Sequence, residues 1–347
     1  MLDHLLNEFL VTGEMDAVWL TAAQQLALAD QERAKVFNIT EDNVAQVILE
    51  RSHLLKSVFP TVNQFCQKNL SISTLSMLQL LWDLWLPWAT KMAVSRESLG
   101  RTFIQGILGV QGTGKTTMCQ ILSIIFEYFN YKTLSLSLDD LYKTYSDRQA
   151  LQKQDPRLIW RGPPGTHDIN LGLSVLTQIR QGESSVTVPQ FDKSAYAGAG
   201  DRTTPKIVTD IDIVLFEGWF VGVVPIDPQL FDSAPPPIIT AADRLFAREM
   251  NEQLQTYLPL WERLDSLIVL DPQDYHYSFA WRKQAEQKMI AAGKSGMNDA
   301  QIEEFVNYFW RSLHPELFIP SLLQSSQVEF VVKVNHDHSF TRIYTNK

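Results

Sequence analysis

The sequence predicts an α/β fold, a mainly parallel sheet flanked by helices and preceded by an N-terminal helical extension. Three observations predict it. Short, almost wholly apolar runs recur after residue 100, as expected of strands buried on both faces. Longer stretches with helical spacing separate them, which implies parallel pairing through crossovers. A glycine-rich turn joins the first such run to the first such helix.

Residues 1–98 read as helical. "NVAQVILERSHLLKSVF" places Val44, Val47, Ile48, Leu54, Leu55 and Val58 at mostly helical spacing. The segment 75–88 repeats the pattern, with Trp82, Trp85 and Trp88 three apart. Such a stripe reads as helix packing rather than a ligand cage. No chemical motif lies here, so residues 1–98 are an accessory helical region and 99–347 the principal domain.

The texture changes at "RTFIQGILGV", where residues 103–110 form a fully buried strand. The helix "TTMCQILSIIFEYF" follows, with Met118, Ile121, Leu122, Ile125 and Phe126 on one side. Further strands are "KTLSLSLDD", "DIDIVLFEG", "LDSLIVLD" and "VEFVVKV". Residues 160–168, "WRGPPGTHD", and 188–202, "VPQFDKSAYAGAGDR", read as loops between strands. The prolines of "SAPPPIITAAD" favour extended chain. "AWRKQAEQKMIAAGKSGM" is a basic helical pattern ending in a flexible "GKSG".

Length and composition bound the function. The 347 residues allow one large domain with an appendage, or two domains. A net charge of −9 argues against an extended nucleic-acid surface. The two cysteines, Cys66 and Cys119, form no metal-spaced cluster and suit a reducing cytosol. The N-terminus "MLDHLLNEFLVTGEMD" is acidic and lacks a basic targeting segment. "LSMLQLLWDLWLPWA" contains Asp83 and Pro87 and is too short to span a bilayer. The expected setting is cytoplasmic, away from membranes.

The strongest motif is "GVQGTGKT", which fits G-x-x-x-x-G-K-[ST]. Average residue usage gives a chance match in about one chain in a hundred of this length. This match also follows a buried strand and opens an amphipathic helix, the context a phosphate loop requires. Glycines let the backbone wrap phosphates closely, and successive N–H groups with the helix N-terminus face the anion. Gly109, Gln111, Gly112, Thr113, Gly114, Lys115, Thr116 and Thr117 are the expected ATP-binding residues. Lys115 supplies charge to the β- and γ-phosphates. Thr116 is the expected Mg²⁺ ligand. A second acid toward the metal is Glu217, at the end of "IVLFEG", where Gly218 leaves room beside it.

In a parallel sheet, chemistry collects beyond the carboxyl ends of strands. "LSLDDLY" carries Asp139 to that edge, where a carboxylate can take the proton of an acceptor hydroxyl. Side chains alternate, so Asp139 and Asp140 should point differently. Asp140 is expected to face away, capping the turn or supporting the site.

The order phosphate loop, "SLDDLY", then "LFEG" resembles the phosphoribulokinase/uridine kinase/pantothenate kinase superfamily of P-loop kinases. "RGPPGTHD", "FDKSAYAGAGDR" and "WRKQAEQKM" are similar to the D-glycerate 3-kinase branch. The resemblance runs from about residue 106 to the C-terminus. It implies a nucleoside-kinase-like P-loop fold, ATP and Mg²⁺ as cofactors, and phosphorylation of D-glycerate at position 3. It implies Asp139 as catalytic base and places the acceptor among Arg161, His167, Asp168, Lys193 and Arg202. Arg and Lys in such loops suit a small carboxylate. A lid of roughly residues 275–300 would bring Arg282 over the γ-phosphate. The C-terminal "VNHDHSFTRIY" matches the family only loosely, and adenine contacts there stay unassigned.

The same machinery suits another small alcohol, such as a nucleoside, pantothenate or a sugar phosphate. A non-catalytic ATP-binding regulator is a different class. The guanine-reading N-K-x-D and the transporter signature L-S-G-G-Q are both absent.

Overall fold

Alternation along the central strands sends every second side chain to the opposite face of the sheet. Phe103, Ile107, Ile213, Leu215, Ile268 and Leu270 join one apolar core, while Ile104, Leu108, Val214, Phe216, Leu267 and Val269 join another. These strands are therefore buried on both sides, as their unbroken apolar sequence requires. The structure is a computed structural model and describes residues 2–70, 72–291 and 296–346.

The strands are β1 Phe103–Gly109, β2 Thr133–Ser137, β3 Val186–Asp192, β4 Asp201–Val208, β5 Ile213–Gly218, β6 Ser266–Pro272, β7 Val328–Val334 and β8 Phe340–Tyr344. The main sheet has the order β2-β5-β1-β6-β7-β8. Its pairings are parallel up to β7, and β8 adds antiparallel to β7. The α/β fold with a mostly parallel sheet, expected from the sequence, is what the chain forms.

The N-terminal helices lie on the first of these cores. Helix Val44–Asn69 packs against the helix Lys115–Tyr128 that follows the phosphate loop. The three tryptophans are packing groups. Trp82 meets Trp19 edge-on at 5.3 Å, and Trp88 meets Phe330 of β7 at 5.8 Å. Trp88 Nε1 also donates to Gln105 Oε1 of β1 at 3.4 Å. A π-helical turn, Leu81–Trp85, interrupts the α-helical run between Thr74 and Leu99. Lys91–Glu329 at 3.0 Å and Arg96–Asp212 at 2.6 Å add polar ties to the sheet. Residues before 99 and the sheet thus share one continuous core. No helix of the described residues is long and apolar enough to cross a membrane.

Residues 188–202 differ from the loop expected there. β3 and β4 form a separate antiparallel hairpin, and only its tip is irregular. Pro189 masked the strand in the sequence, since proline normally breaks a ladder. Here the register shifts between Val188 and Gln190, so the missing N–H falls at the irregularity. The loose C-terminal match likewise hid β8. The basic helix forms as Tyr277–Ala291 and packs against Asp299–Ser312. Lys294 and most of the "GKSG" stretch lie outside the described residues.

Candidate active site

β1 delivers the phosphate loop at the carboxyl edge of the sheet. Gly112 and Gly114 have φ of +85° and +86°, a backbone region open to glycine without strain. Gly112 is also pressed by the helix Tyr277–Ala291. A Cβ at this position would lie 2.4 Å from Cβ of Trp281. Thr113 Oγ1 donates to Val110 O at 2.8 Å and holds the turn. Lys115 Nζ donates to Gly109 O at 2.7 Å and Val110 O at 3.1 Å, curling over its own loop. Burial lowers its pKa, opposed by the carboxylates of Glu217 and Asp139. Gln111 turns toward an apolar cavity lined by Trp219, Phe220 and Trp310.

Glu217 stands opposite Ile107 of β1 and Ser137 of β2 in the sheet register. It is 5% exposed, and Thr116 Oγ1 donates to its Oε1 at 2.8 Å. Gly218 next to it allows a close approach, since an added Cβ would meet Leu138 Cβ at 2.7 Å. That contact brings the turn after β2 against the end of β5. Among the described residues, no group of three or more His, Cys, Asp or Glu is placed to hold a metal alone. Mg²⁺ beside a nucleotide needs few protein oxygens, because phosphates and water complete its shell. The hydroxyl of Thr116 and the carboxylate of Glu217 are hard donors that fit it.

The turn Leu138–Leu141 separates the paired aspartates. Asp140 Oδ2 accepts the Ser137 N–H at 3.1 Å, and its Oδ1 accepts the Phe191 N–H of β3 at 3.2 Å. Both oxygens are committed to backbone, and burial pushes this carboxyl upward against those two bonds. Asp139 has a different environment. Lys193 Nζ lies 2.6 Å from Asp139 Oδ2, and the Tyr142 hydroxyl also bonds to it. Burial would raise its pKa, but Lys193 and Tyr142 outweigh burial and hold it below the usual carboxylate range. Asp139 is therefore held ionised without backbone hydrogen bonds to its oxygens, facing Lys193 at the hairpin tip.

The other candidates fall into two groups. His167 and Lys193 come to Asp139. Tyr142 stacks on the His167 ring at 4.5 Å, and burial pushes that imidazole down to about 3. Arg161 lies over the rings of Tyr142 and Phe191, while its Nη1 donates to Gly198 O at 2.7 Å. The second group is tied into the scaffold. Arg202 donates to Asp168 Oδ2 at 2.8 Å and to Tyr142 O at 3.0 Å. Asp168 also caps the helix Ile169–Arg180 through the Leu171 N–H. Arg282 pairs with buried Glu286 and lies over Phe305, so its charge is engaged within the helix Tyr277–Ala291 and its neighbour.

Two residues escaped the sequence reading. Tyr142 belongs to "SLDDLY", whose chemical reading rests on the aspartates and gives the tyrosine no role. Tyr257 lies in "LQTYLPLW", far along the chain, and no local signal marks it.

No family model matches the chain. Individual relatives do. An uncharacterized kinase, mug58, of Schizosaccharomyces pombe is 32% identical over 252 residues, 68% of this chain and 87% of that protein. A chloroplastic D-glycerate 3-kinase of Arabidopsis thaliana is 33% identical over 215 residues. That match covers 59% of this chain and only 45% of the plant protein's length. The solved structure of a D-glycerate 3-kinase from Cryptococcus neoformans superposes with a TM-score of 0.67 at 26% identity. It covers 74% of this chain and 96% of that one. With its phosphate loop, its Glu217 and its ionised Asp139, this chain belongs to the D-glycerate 3-kinase-like branch of the phosphoribulokinase/uridine kinase/pantothenate kinase superfamily of P-loop kinases.

Proposed function

We propose that this kinase transfers the γ-phosphoryl group of ATP to the 3-hydroxyl of D-glycerate. The observation that carries the reading is Asp139, an ionised carboxylate between Lys193 and Tyr142 at the same sheet edge as the phosphate loop. A base at that place can take the acceptor's proton as its oxygen bonds to the γ-phosphorus and the bond from phosphorus to the β-phosphate oxygen breaks. The proton rests on Asp139 and leaves to water after ADP departs. Lys115 draws charge from the transferring group. Thr116 and Glu217 are the residues that would hold Mg²⁺, whose charge would offset that of the phosphates.

Lys193 must release Asp139 for the hydroxyl to approach. Its side chain is 62% exposed, so it is free to swing toward the substrate carboxylate. Arg161 offers a second cation from the neighbouring loop. Two relatives are named D-glycerate 3-kinases, which supports glycerate as the acceptor. The buried free thiols Cys66 and Cys119 suit a reducing cytosol as the place of action.

The test is ADP release across an acceptor panel, with NMR identification of the product. D-Glycerate should turn over and give the 3-phosphate. Turnover with uridine but not D-glycerate would overturn the substrate, and a 2-phosphate product the regiochemistry. Asp139→Asn should lower kcat by at least about a hundredfold while changing ATP affinity little. Unchanged activity would point to a non-catalytic regulator.

A further inference from the structure

Lys193 reaches Asp139 from the first residue of the β3–β4 hairpin tip, so its placement depends on what holds that tip. Apolar burial does not hold it, since Lys193, Ser194, Tyr196, Ala197 and Gly198 are all exposed. Nor is the backbone relaxed. Tyr196 and Ala197 have φ of +49° and +56°, a left-handed region that residues with a Cβ disfavour. A strained, exposed turn persists only where its surroundings fix it.

What fixes this one is Arg148, on the helix Tyr145–Gln154. Its Nε donates to Lys143 O at 3.1 Å, its Nη1 to Ala199 O at 2.8 Å, and its Nη2 to Gly200 O. The fork thus ties the segment after the Asp139 turn to two successive carbonyls of the tip. Arg148 also lies over the rings of Phe191, at 5.4 Å, and Tyr145, at 5.9 Å. The Tyr145 ring in turn stacks on Tyr196 at 4.1 Å and 6°. No residue of this helix is buried, so it serves the fold through such contacts rather than through a core.

Lys193 therefore sits between two fastened points. On one side the Phe191 N–H donates to Asp140 Oδ1 at 3.2 Å, and on the other is the Arg148 clasp. The same clasp seats Arg161, whose Nη1 shares Ala199 O with Arg148, at 3.1 Å, and reaches Gly198 O at 2.7 Å. The two arginines differ in what they leave open. Arg148 commits Nε and both Nη groups to backbone. Nε and Nη2 of Arg161 make no hydrogen bond among the described residues.

We infer that Arg148 is a positioning residue of the acceptor site, clasping the hairpin tip so that Lys193 and Arg161 are presented together to an anionic group of the acceptor. The inference rests on the reading above that the acceptor lies at Asp139. An acceptor with a carboxylate near its reacting hydroxyl meets two cations there, and a neutral alcohol of the same size gains nothing from them.

Two measurements on the full chain test this. The first is hydrogen exchange without substrate. The tip's own bonds run from Gly198 N–H to Ser194 O at 3.2 Å and from Gly200 N–H to Ala195 O at 2.8 Å. In Arg148→Met these amides should exchange about tenfold faster, the size of one lost hydrogen bond, while those of β1 and β5 stay as in the parent. Arg148→Lys, which can reach one carbonyl but cannot form the fork, should fall between. The second is kinetics with whichever acceptor supports turnover. Arg148→Met should raise the acceptor KM about tenfold and leave the ATP KM unchanged. In a Lys193→Met background the same substitution should raise it by less, because part of what the clasp presents is gone. Unchanged exchange at the tip, or exchange raised equally in the sheet, would overturn the inference. So would equal rises in both KM values, or the same fold-change in both backgrounds. Faster exchange confined to the tip of a chain inactive on D-glycerate would support the clasp and refute the proposed substrate. Turnover of D-glycerate with an acceptor KM indifferent to Arg148→Met would refute the clasp and leave the substrate standing.

Discussion

Replacing Lys193 with methionine removes one charge and leaves a side chain of similar length. Asp139 then keeps the influence that acts upward, burial, and loses the strongest that acts downward. Its pKa must rise, and the acid limb of the pH profile of kcat/KM must rise with it. The 2.6 Å contact bounds the size of the shift. With water-like screening, two unit charges at that separation interact by about 1.6 kcal/mol, which is roughly one pH unit. A protein-like dielectric would multiply this about fourfold. The Lys193 side chain is 62% exposed, so solvent screening keeps the effect near the lower figure. The expected result is an acid limb moved up by about one to two pH units, as for a carboxylate losing a cationic neighbour. The assay is a pH series of initial rates with the acceptor well below saturation. Near neutral pH Asp139 stays ionised, so any loss there measures contact between Lys193 and the substrate. An acid limb that stays in place, with rates lowered equally at every pH, would refute the tuning of Asp139 by Lys193.

Three further outcomes follow from the geometry. Glu217→Gln keeps the shape that receives the Thr116 hydroxyl but removes the charge, and should lower activity or metal affinity by about ten- to a hundredfold; a Mg²⁺ titration of the rate reads it. Gly112→Ala places a Cβ 2.4 Å from Trp281 Cβ at a φ of +85°. The backbone alone costs about 1–2 kcal/mol, and the contact forces the loop and the helix apart. Thermal melts should show a lower Tm and a smaller rise on adding ATP than the parent shows. The third outcome concerns acid stability. Burial holds His167 near 3, below its ordinary value of 6.5, so the unfolded chain binds the proton more readily. This contribution is complete above pH 6.5 and declines by about 1.4 kcal/mol per unit as pH falls toward 3. Denaturant melts of His167→Gln should therefore lose less stability between about pH 6.5 and 5 than those of the parent.

Much of the fold and part of the candidate site are legible in contiguous sequence. An apolar run, a glycine turn and an amphipathic helix specify a buried strand, a phosphate loop and its supporting helix within a few residues of one another. Thr116 and Lys115 follow from that local backbone. Asp139 is legible as a member of a pair at a strand end. Which of the pair is free is a tertiary fact. Asp140 is occupied because Phe191, on a hairpin 51 residues away, presents its N–H to it. The same hairpin brings Lys193 to Asp139. Arg202 and Asp168, both substrate candidates in sequence, lie 34 residues apart, and the fold pairs them with each other. Tyr257 reaches His167 across 90 residues. Local hydrogen bonding and apolar periodicity are written in neighbouring residues, so sequence alone determined the nucleotide loop and the layered sheet. Charge pairing and the contacts of buried side chains depend on which distant groups packing brings within about 3 Å, and only the tertiary structure decided them.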